Sequence, residues 1–378
     1  MFDLERAADM LANVKPVRVE TALCTQARSG RSKCRACVDI CPAGAVSLGR
    51  GPVVTDACTA CGLCAAACRT GALRMETPSD VALLTEARKA QGDPLVVACA
   101  AQAGQLRLRE RLVTVPCIGA VTTEVLVGML AGGHSRILLW RPAACESCVN
   151  RAGMERMDLA ALEELYPGAV GFAASAADVQ APGDVASGGR AGAEGASFDQ
   201  DLANQDRRAF LGSAFKSGGS LIQALLGDWV AKKPAPPAPT LYEVQGTPRR
   251  RQILRDAFAA KAPAPGARLP EWAVSPSSAC TLCPVCTKLC PSGALQVAAG
   301  GEHAELNWQA SRCTDCGLCR EICPVGAMGR GEQMTAARFQ AEAPEQLMTG
   351  SQETCACGTK FYRTPGGPDR CFACRMRG

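Results

Sequence analysis

From residue 80 to residue 173, short apolar runs alternate with longer amphipathic stretches. DVALLTEARKA (80–90) reads as a helix and PLVVACA (94–100) as a strand. RERLVTVPC (109–117) reads as a second strand and TTEVLVGMLAGG (122–133) as a helix closed by glycines. SRILLWRPAAC (135–145) is a third strand, and MERMDLAALEELYPG (154–168) a further helix. This alternation predicts a parallel α/β sheet. From residue 174 the pattern gives way to Ala, Gly, Ser and Asp, which predicts a flexible linker over 174–270. AKKPAPPAPT and AAKAPAPGARLP are stiffer, proline-rich spacers within it. One periodic segment interrupts the linker at 205–230: Leu211 and Phe215 lie four apart, and Ile222, Leu225, Leu226 and Trp229 follow the i, i+3, i+4, i+7 rule beyond a break at Gly218 and Gly219. Its apolar face either packs on one of the cysteine-rich blocks or docks a partner or a membrane surface. RRAFLG at 207–212 looks like a twin-arginine export signal, but its internal position argues against export.

Cysteine changes the picture. The chain has 24, and they fall into groups of four: 24/34/37/41, 58/61/64/68, 99/117/145/148, 280/283/286/290, 313/316/319/323 and 355/357/371/374. A disulfide scaffold suits small secreted chains, whereas this one has 378 residues and opens on a charged, amphipathic stretch that does not read as a secretory signal. Grouping in fours points to metal tetrads. Four metal-bound thiolates carry roughly two negative charges per site. Six loaded sites would therefore turn the formal +5 into about −7, so the basic balance is no argument for nucleic acid. Aromatic residues make up only 4%, so the cores are expected to lean on Ala, Val and Leu. No run of apolar residues is long enough for a transmembrane helix.

The phrase CTLCPVCTKLCPSGAL is followed by CTDCGLCREICPVGAM, and the N-terminal CTQARSGRSKCRACVDICPAGAV by CTACGLCAAACRTGAL. Each of these four segments ends in C-x-x-G-A, an internal repeat that marks a modular chain. The spacing C-x2-C-x2-C-x3-C-P is the known bacterial ferredoxin pattern: three cysteines wrap one cluster and the fourth reaches the neighbouring one. Over about 50 residues in each block, the sequence resembles the dicluster bacterial ferredoxins. The resemblance implies one 4Fe-4S cluster on Cys280, Cys283, Cys286 and Cys323 and another on Cys290, Cys313, Cys316 and Cys319. In the N-terminal block it implies one on Cys41, Cys58, Cys61 and Cys64, and one on Cys24, Cys34, Cys37 and Cys68. Zinc is the competing metal for such tetrads, but the repeated spacing with proline disfavours it. Two departures fall on the last tetrad. Nine residues, TQARSGRSK, separate Cys24 from Cys34 where two are usual, and Arg69 stands where proline is expected after Cys68. The basic insertion reads either as a solvated loop or as a docking loop.

In the middle region Cys99 follows the first strand, Cys117 the second, and Cys145 with Cys148 the third, so a parallel sheet would gather them along the edge where such sheets bind ligands. The alternative is that Cys99 and Cys117 are buried as small hydrophobic groups. Over roughly 75 residues the pattern C…PCIGAV…GG…CESC…RAG resembles the delta subunit of methyl-viologen-reducing hydrogenase. That resemblance implies a 2Fe-2S site on Cys99, Cys117, Cys145 and Cys148, although Glu146, Ser147 and Val149 depart from the family. CACGTKFYRTPGGPDRCFAC reads as a zinc ribbon on Cys355, Cys357, Cys371 and Cys374; rubredoxin-type iron competes, and the C-x-C spacing counts against it.

The expected fold class is therefore α+β and multidomain: a dicluster ferredoxin domain at 1–78, an α/β domain at 79–173, the linker, a second dicluster domain at 271–335 and a zinc-ribbon-like tail at 350–378. No dinucleotide or P-loop motif is present, and His134 and His303 sit in no catalytic constellation. The expectation is an iron–sulfur electron-transfer protein with no catalytic site of its own. It would be a relay subunit of a cytoplasmic oxidoreductase complex of hydrogenase, formate dehydrogenase or heterodisulfide-reductase type. Its partners would be protein electron donors and acceptors, such as flavin- or molybdenum/tungsten-containing enzymes. The alternative is a maturation factor for an exported metalloenzyme such as formate dehydrogenase.

Overall fold

The N-terminal strands are short runs between cysteine-bearing turns. In the computed structural model, which describes residues 16–157, 159–180 and 246–377, they form two antiparallel ribbons. β1 (Val17–Val19) pairs with β4 (Leu73–Met75), and β2 (Val46–Leu48) with β3 (Pro52–Val54). Short helices at Thr25–Arg28, Ala36–Asp39 and Leu63–Ala67 lie between them. The core here is small: Val17, Val46, Val54 and Leu73 share it with Cys37 and Cys64, so sulfur occupies places that aliphatic carbon would otherwise fill.

The middle region is the expected parallel sheet. Its strands are β5 (Leu95–Cys99), β6 (Leu112–Val115), β7 (Ile137–Trp140) and β8 (Val170–Ala173), in the order β6-β5-β7-β8, with every neighbouring pair parallel. The longer helices around it are α1 (Asp80–Lys89), α2 (Thr123–Ala131) and α3 (Leu159–Leu165). α1 starts on Ser79, whose hydroxyl accepts from Ala82 N at 3.2 Å, and it ends on Arg88 and Lys89, which suit the helix dipole. Alternate strand residues serve opposite faces. Val97, Val113 and Leu139 join the core beneath the helices, while Val96, Leu138 and Trp140 meet Leu106 and Val179 on the other side. Two sequence expectations change. β8 adds a fourth strand from the short run VGFA, and the helix expected over 154–168 is two pieces, Arg151–Glu155 and α3.

The expected linker over 174–270 is corrected at both ends. Residues 176–180 form a helical turn that buries Val179 against the sheet and offers its carbonyl to Arg111 Nη2. Further on, α4 (Arg249–Ala260) buries Ile253, Leu254, Ala257 and Phe258 on one face. The prolines flanking α4 in sequence masked this stripe. α4 lies on α2 at Gly128, where a Cβ would sit 3.2 Å from Ile253 Cγ2. The spacer at 261–267 is tied down as well: Tyr166 Oη donates to Lys261 O at 2.6 Å, and Ala264 N donates to Leu165 O at 2.8 Å. Residues 181–245, which include the amphipathic segment 205–230 and RRAFLG, lie outside the described residues.

In the C-terminal part β9 (Arg268–Pro276) pairs antiparallel with β12 (Met328–Thr335). β10 (Leu295–Gly300), β11 (His303–Trp308), β13 (Glu345–Thr354) and β14 (Lys360–Arg363) form an antiparallel sheet in the order β10-β11-β13-β14. The tail expected to stand alone at 350–378 is thus continuous with the second cysteine-rich block, because β13 pairs with both β11 and β14. One apolar core runs from Leu83 and Leu84 of the α/β unit to Trp308 and Phe339. At its centre Phe258 meets Phe339 edge to face, with ring centroids 5.7 Å apart, and Arg251 lies 4.5 Å over the Phe339 ring while its Nη1 pairs with Glu271 at 2.9 Å. No described helix is long and apolar enough to cross a membrane.

Phe258 joins two units, so Phe258→Ala should lower stability by about 3–5 kcal/mol through the cavity it leaves. Val53→Ala, at a side chain 55% exposed, should stay within about 0.5 kcal/mol. Urea unfolding followed by circular dichroism on the metal-loaded chain measures both.

Candidate metal centres

The four ferredoxin-type segments share a turn that explains their spelling. Among the described residues the non-glycine positions with positive φ are Ala60, Leu282 and Asp315, each the third residue of a Cys-Thr-x-Cys loop. A left-handed L-residue costs about 1–2 kcal/mol, a strain that points to a functional constraint. The G-A phrase also has a physical reason. Gly44, Gly71, Gly293 and Gly326 all have positive φ. In two of the segments this turn lets the following alanine reach back: Ala45 N donates to Cys41 Sγ at 3.3 Å, and Ala327 N to Cys323 Sγ at 3.2 Å. The segment that begins at Cys24 lacks the left-handed turn, because the insertion replaces it. There, Gln26 Nε2 donates to Ser32 O at 2.7 Å and to Cys34 O at 3.1 Å, closing the longer loop.

The fold brings the cysteines together across the segments. Cys24 precedes the helix Thr25–Arg28, Cys37 lies in Ala36–Asp39, and Cys68 ends Leu63–Ala67. Burial pushes the Cys37 thiol up to about 11, and the nearby thiolates of Cys68, Cys34 and Cys24 push the same way. Cys64 rises to about 12, from burial and then from Cys61, Cys58 and Cys41. In the second block Cys286 rises to about 12 through burial and the charges of Cys283, Cys280, Cys323 and Cys290. Cys316 also reaches about 12, through burial first and then Cys290. Cys319 is raised by burial and by Cys316, Cys313, Cys290 and Cys286, so the two C-terminal tetrads are neighbours. Cys290, Cys313, Cys316 and Cys319 line a cavity of about 30 Å³ together with Leu318 and Val274. Four sulfurs that repel one another as thiolates in an apolar shell are a donor set for a cationic iron core, and iron–sulfur clusters fit them.

In the α/β unit Cys99 ends β5 opposite Val115 of β6, so Cys117 and the Cys145–Cys148 loop after β7 lie at the same sheet edge. Cys117 is raised to about 11 by burial, with Cys148, Cys61 and Cys99 adding to it, and Cys145 is raised by burial and by Cys99 and Cys148. The four cysteines therefore converge, and Cys61 of the N-terminal block is among their neighbours. Small residues make this approach possible. A Cβ on Gly153 would overlap Leu63 Cδ2, one on Gly119 would fall 2.6 Å from the Gly153 carbonyl carbon, and one on Gly62 2.9 Å from Ala120 Cβ. This donor set suits either zinc or a 2Fe-2S cluster.

The tail tetrad is the tightest. The sulfurs of Cys355, Cys357, Cys371 and Cys374 all lie within 4.8 Å of one another, as one tetrahedral ion requires. Hydrogen bonding with Thr359, 3.3 Å away at its hydroxyl and also through its backbone, holds Cys357 down at about 6, whereas Cys374 is pushed up to about 12 by its hydrogen bonds with Cys357 and Cys371. Thr359 did not stand out in the sequence; its only signal there is its place two residues after Cys357.

Arg69, noted in the sequence only as a missing proline, joins the two blocks. Its Nη1 lies 3.2 Å from Asp315 Oδ2 and 3.4 Å from Asp315 O. The Asp315 side chain is 3% exposed and also meets Arg320 at 3.2 Å and Arg330 at 3.5 Å. Lys33 N donates to Glu321 Oε2 at 3.1 Å across the same seam. Arg250 completes the junction, donating to Asp80 Oδ2 at 2.9 Å and to Ala65 O at 2.8 Å.

A hydrogen-bonded Cys357 below its usual range stays a thiolate until the pH falls through about 6. Thr359→Val removes the side-chain part of that support, keeps the backbone part, and raises the thiol toward the ordinary cysteine value, so protons compete with metal at higher pH. A zinc ion added to the tail tetrad should then be released at a pH roughly one unit higher than in the parent chain, measured with a chromogenic chelator.

Three stretches match family models. Residues 266–327 match a 4Fe-4S dicluster domain, and residues 52–74 and 21–44 each match a 4Fe-4S binding domain. No curated protein and no solved structure matches the chain. The matched stretches take in all sixteen ferredoxin-type cysteines. The chain carries several 4Fe-4S ferredoxin-type domains, the equipment of an iron–sulfur electron-transfer protein.

Proposed function

We propose that the chain is a multi-centre electron relay without a catalytic site of its own, a subunit of a larger cytoplasmic oxidoreductase complex of hydrogenase, formate dehydrogenase or heterodisulfide-reductase type. In this reading the four ferredoxin-type tetrads hold 4Fe-4S clusters, Cys99, Cys117, Cys145 and Cys148 hold a 2Fe-2S cluster, and the tail holds a structural zinc. The observation that carries the reading is that neighbouring tetrads are joined by direct protein contacts. Gly62, next to Cys61, meets Ala120 of the Cys117 loop, Arg69 after Cys68 reaches Asp315 before Cys316, and the helices that carry Cys286 and Cys319 pack together.

When bound, such clusters supply reversible one-electron chemistry. The chain's own residues do the rest. Burial of Cys64 and Cys286 keeps water from the sulfurs. The N–H groups of Ala45 and Ala327 stabilise thiolate charge at Cys41 and Cys323. The Arg69–Asp315 pair and the glycine contacts at 62, 119 and 153 hold the tetrads at fixed separation. The relay then runs from the α/β unit through the N-terminal block to the C-terminal block, toward protein donors and acceptors that carry flavin, molybdenum or tungsten. The maturation-factor alternative leans on RRAFLG, which lies outside the described residues, and on the tail, whose packing into a shared sheet is explained by structure alone.

Iron, acid-labile sulfide and zinc per chain test the reading on protein purified without oxygen. The expected content is about 18 iron and one zinc. A result of about 16 iron and two zinc would make the middle tetrad structural. Cys316→Ser should lose about four iron and one EPR signal while the α/β unit stays folded. An unchanged EPR spectrum would sink the ligand assignment.

A further inference from the structure

Of the sixteen ferredoxin-type cysteines, Cys34 is the one whose residue is exposed; the rest are buried or half-buried. Cys34 is also the cysteine displaced by the nine-residue insertion. Arg31, Lys33 and Arg35 flank it, and all three are exposed. Arg35 is partly satisfied by Asp39, 3.4 Å away, and Glu321 accepts from the Lys33 backbone. The side chains of Arg31 and Lys33 have no hydrogen bond or ion pair among the described residues. Two cations thus stand free beside the one exposed cysteine of the ferredoxin-type tetrads.

We propose that Cys34 and its basic loop are the port through which this chain exchanges electrons with a soluble, acidic one-electron carrier protein. The proposal rests on the relay reading. A centre loaded at Cys24, Cys34, Cys37 and Cys68 adds roughly two negative charges here, on a loaded chain near −7 overall. An acidic partner would be repelled by most of such a surface. Arg31 and Lys33 offset the charge at the one ferredoxin-type tetrad that has an exposed cysteine, so the local field selects both the partner and its landing point. The port has an inward route as well. Cys68 completes the same tetrad, and the adjoining Arg69 leads to Asp315 and the second block. The other exposed sulfur outside the tail, Cys148, lies beside Val149, which is 79% exposed, and offers an apolar rim instead.

The test uses the full, metal-loaded chain, reduced without oxygen and then reoxidised by either of two inorganic complexes. Tris(oxalato)cobaltate(III) is anionic and hexaammineruthenium(III) cationic; each takes one electron from the reduced protein, giving Co(II) or Ru(II). Arg31→Glu with Lys33→Glu should slow the anionic complex by about threefold or more at low ionic strength and speed the cationic one by a similar factor, and salt should erase both effects. Reduction of the chain by a reduced flavodoxin, an acidic carrier, should slow in parallel. Iron content and the EPR spectrum of the variant should match the parent, which separates a lost port from a lost cluster. Val149→Glu, beside Cys148, should leave the ratio of the two rates unchanged. If the double variant leaves the ratio unchanged, or only Val149→Glu moves it, the port is not at Cys34. If the parent chain holds no reducible cluster, neither complex reoxidises it, and the relay reading falls instead.

Discussion

A tetrad of thiols in an apolar interior is stable in its protonated form and repels itself in the form that binds metal, and this constraint organises the whole chain. Burial first, and then each neighbouring thiolate, lifts thiols such as Cys64 and Cys286 above their usual range. The metal core is the cation that reverses the balance, so the free energy of loading is also free energy of folding. The N-terminal block shows how far this goes. In its central cluster four buried aliphatic side chains pack directly with two buried cysteines, so a centre loaded there bears on the packing as well as on the charge. The protein assists with what lies near: backbone N–H groups aimed at sulfur, and arginines at the seams.

Much of this was legible because cluster ligation writes itself into spacing. A fixed loop must place three sulfurs around one centre, so the cysteine intervals and the trailing Gly-Ala appear in the one-dimensional text. The parallel sheet was legible for a similar reason: buried parallel strands such as Leu95–Cys99 and Ile137–Trp140 read as unbroken apolar runs between helices. Other features were hidden. α4 was masked by prolines on both sides and by the arginines of its first turn, although Ile253, Leu254, Ala257 and Phe258 form a clear stripe. The joining of the tail to the second block through β13 was not readable, because strand pairing between distant segments leaves no local periodicity. Asp315 looked like an ordinary loop acid, and only its burial and its three arginine partners reveal what it does.

Separate modules on a flexible tether would carry their centres at variable distances, and a relay through them would wait on encounters. This chain closes its modules onto one another instead. The contacts are of two chemical kinds. Between the N-terminal block and the α/β unit the chain approaches closely at Gly62, against Ala120, and at Gly153, against Leu63, where an added side chain would collide. Between the N-terminal and C-terminal blocks the contact is ionic, and its central carboxylate is buried. A buried Asp315 with one arginine would face a heavy desolvation cost, but Arg69, Arg320 and Arg330 share it, and only Arg69 comes from the other block. Arg320 and Arg330 belong to the same block as Asp315 and fix its carboxylate there, so the contact with Arg69 has a defined position on the seam.

Both departures from the ferredoxin pattern fall on one tetrad, and they do opposite things at its two ends. At Cys68 the loss of proline frees a position for Arg69, which turns inward to the second block. At Cys34 the insertion leaves the cysteine exposed among cations, while the backbone of Lys33 touches Glu321 of that same block. A tetrad altered at random would lose ligands or packing, yet the fold here keeps Cys24, Cys34 and Cys68 in the neighbourhood of Cys37 and the loop remains closed by Gln26. The changes keep the site and alter only what surrounds it. That is the pattern expected where an internal path meets an external one: the site must be fixed to its neighbour on one side and open on the other. A ferredoxin that works alone has no need to do both.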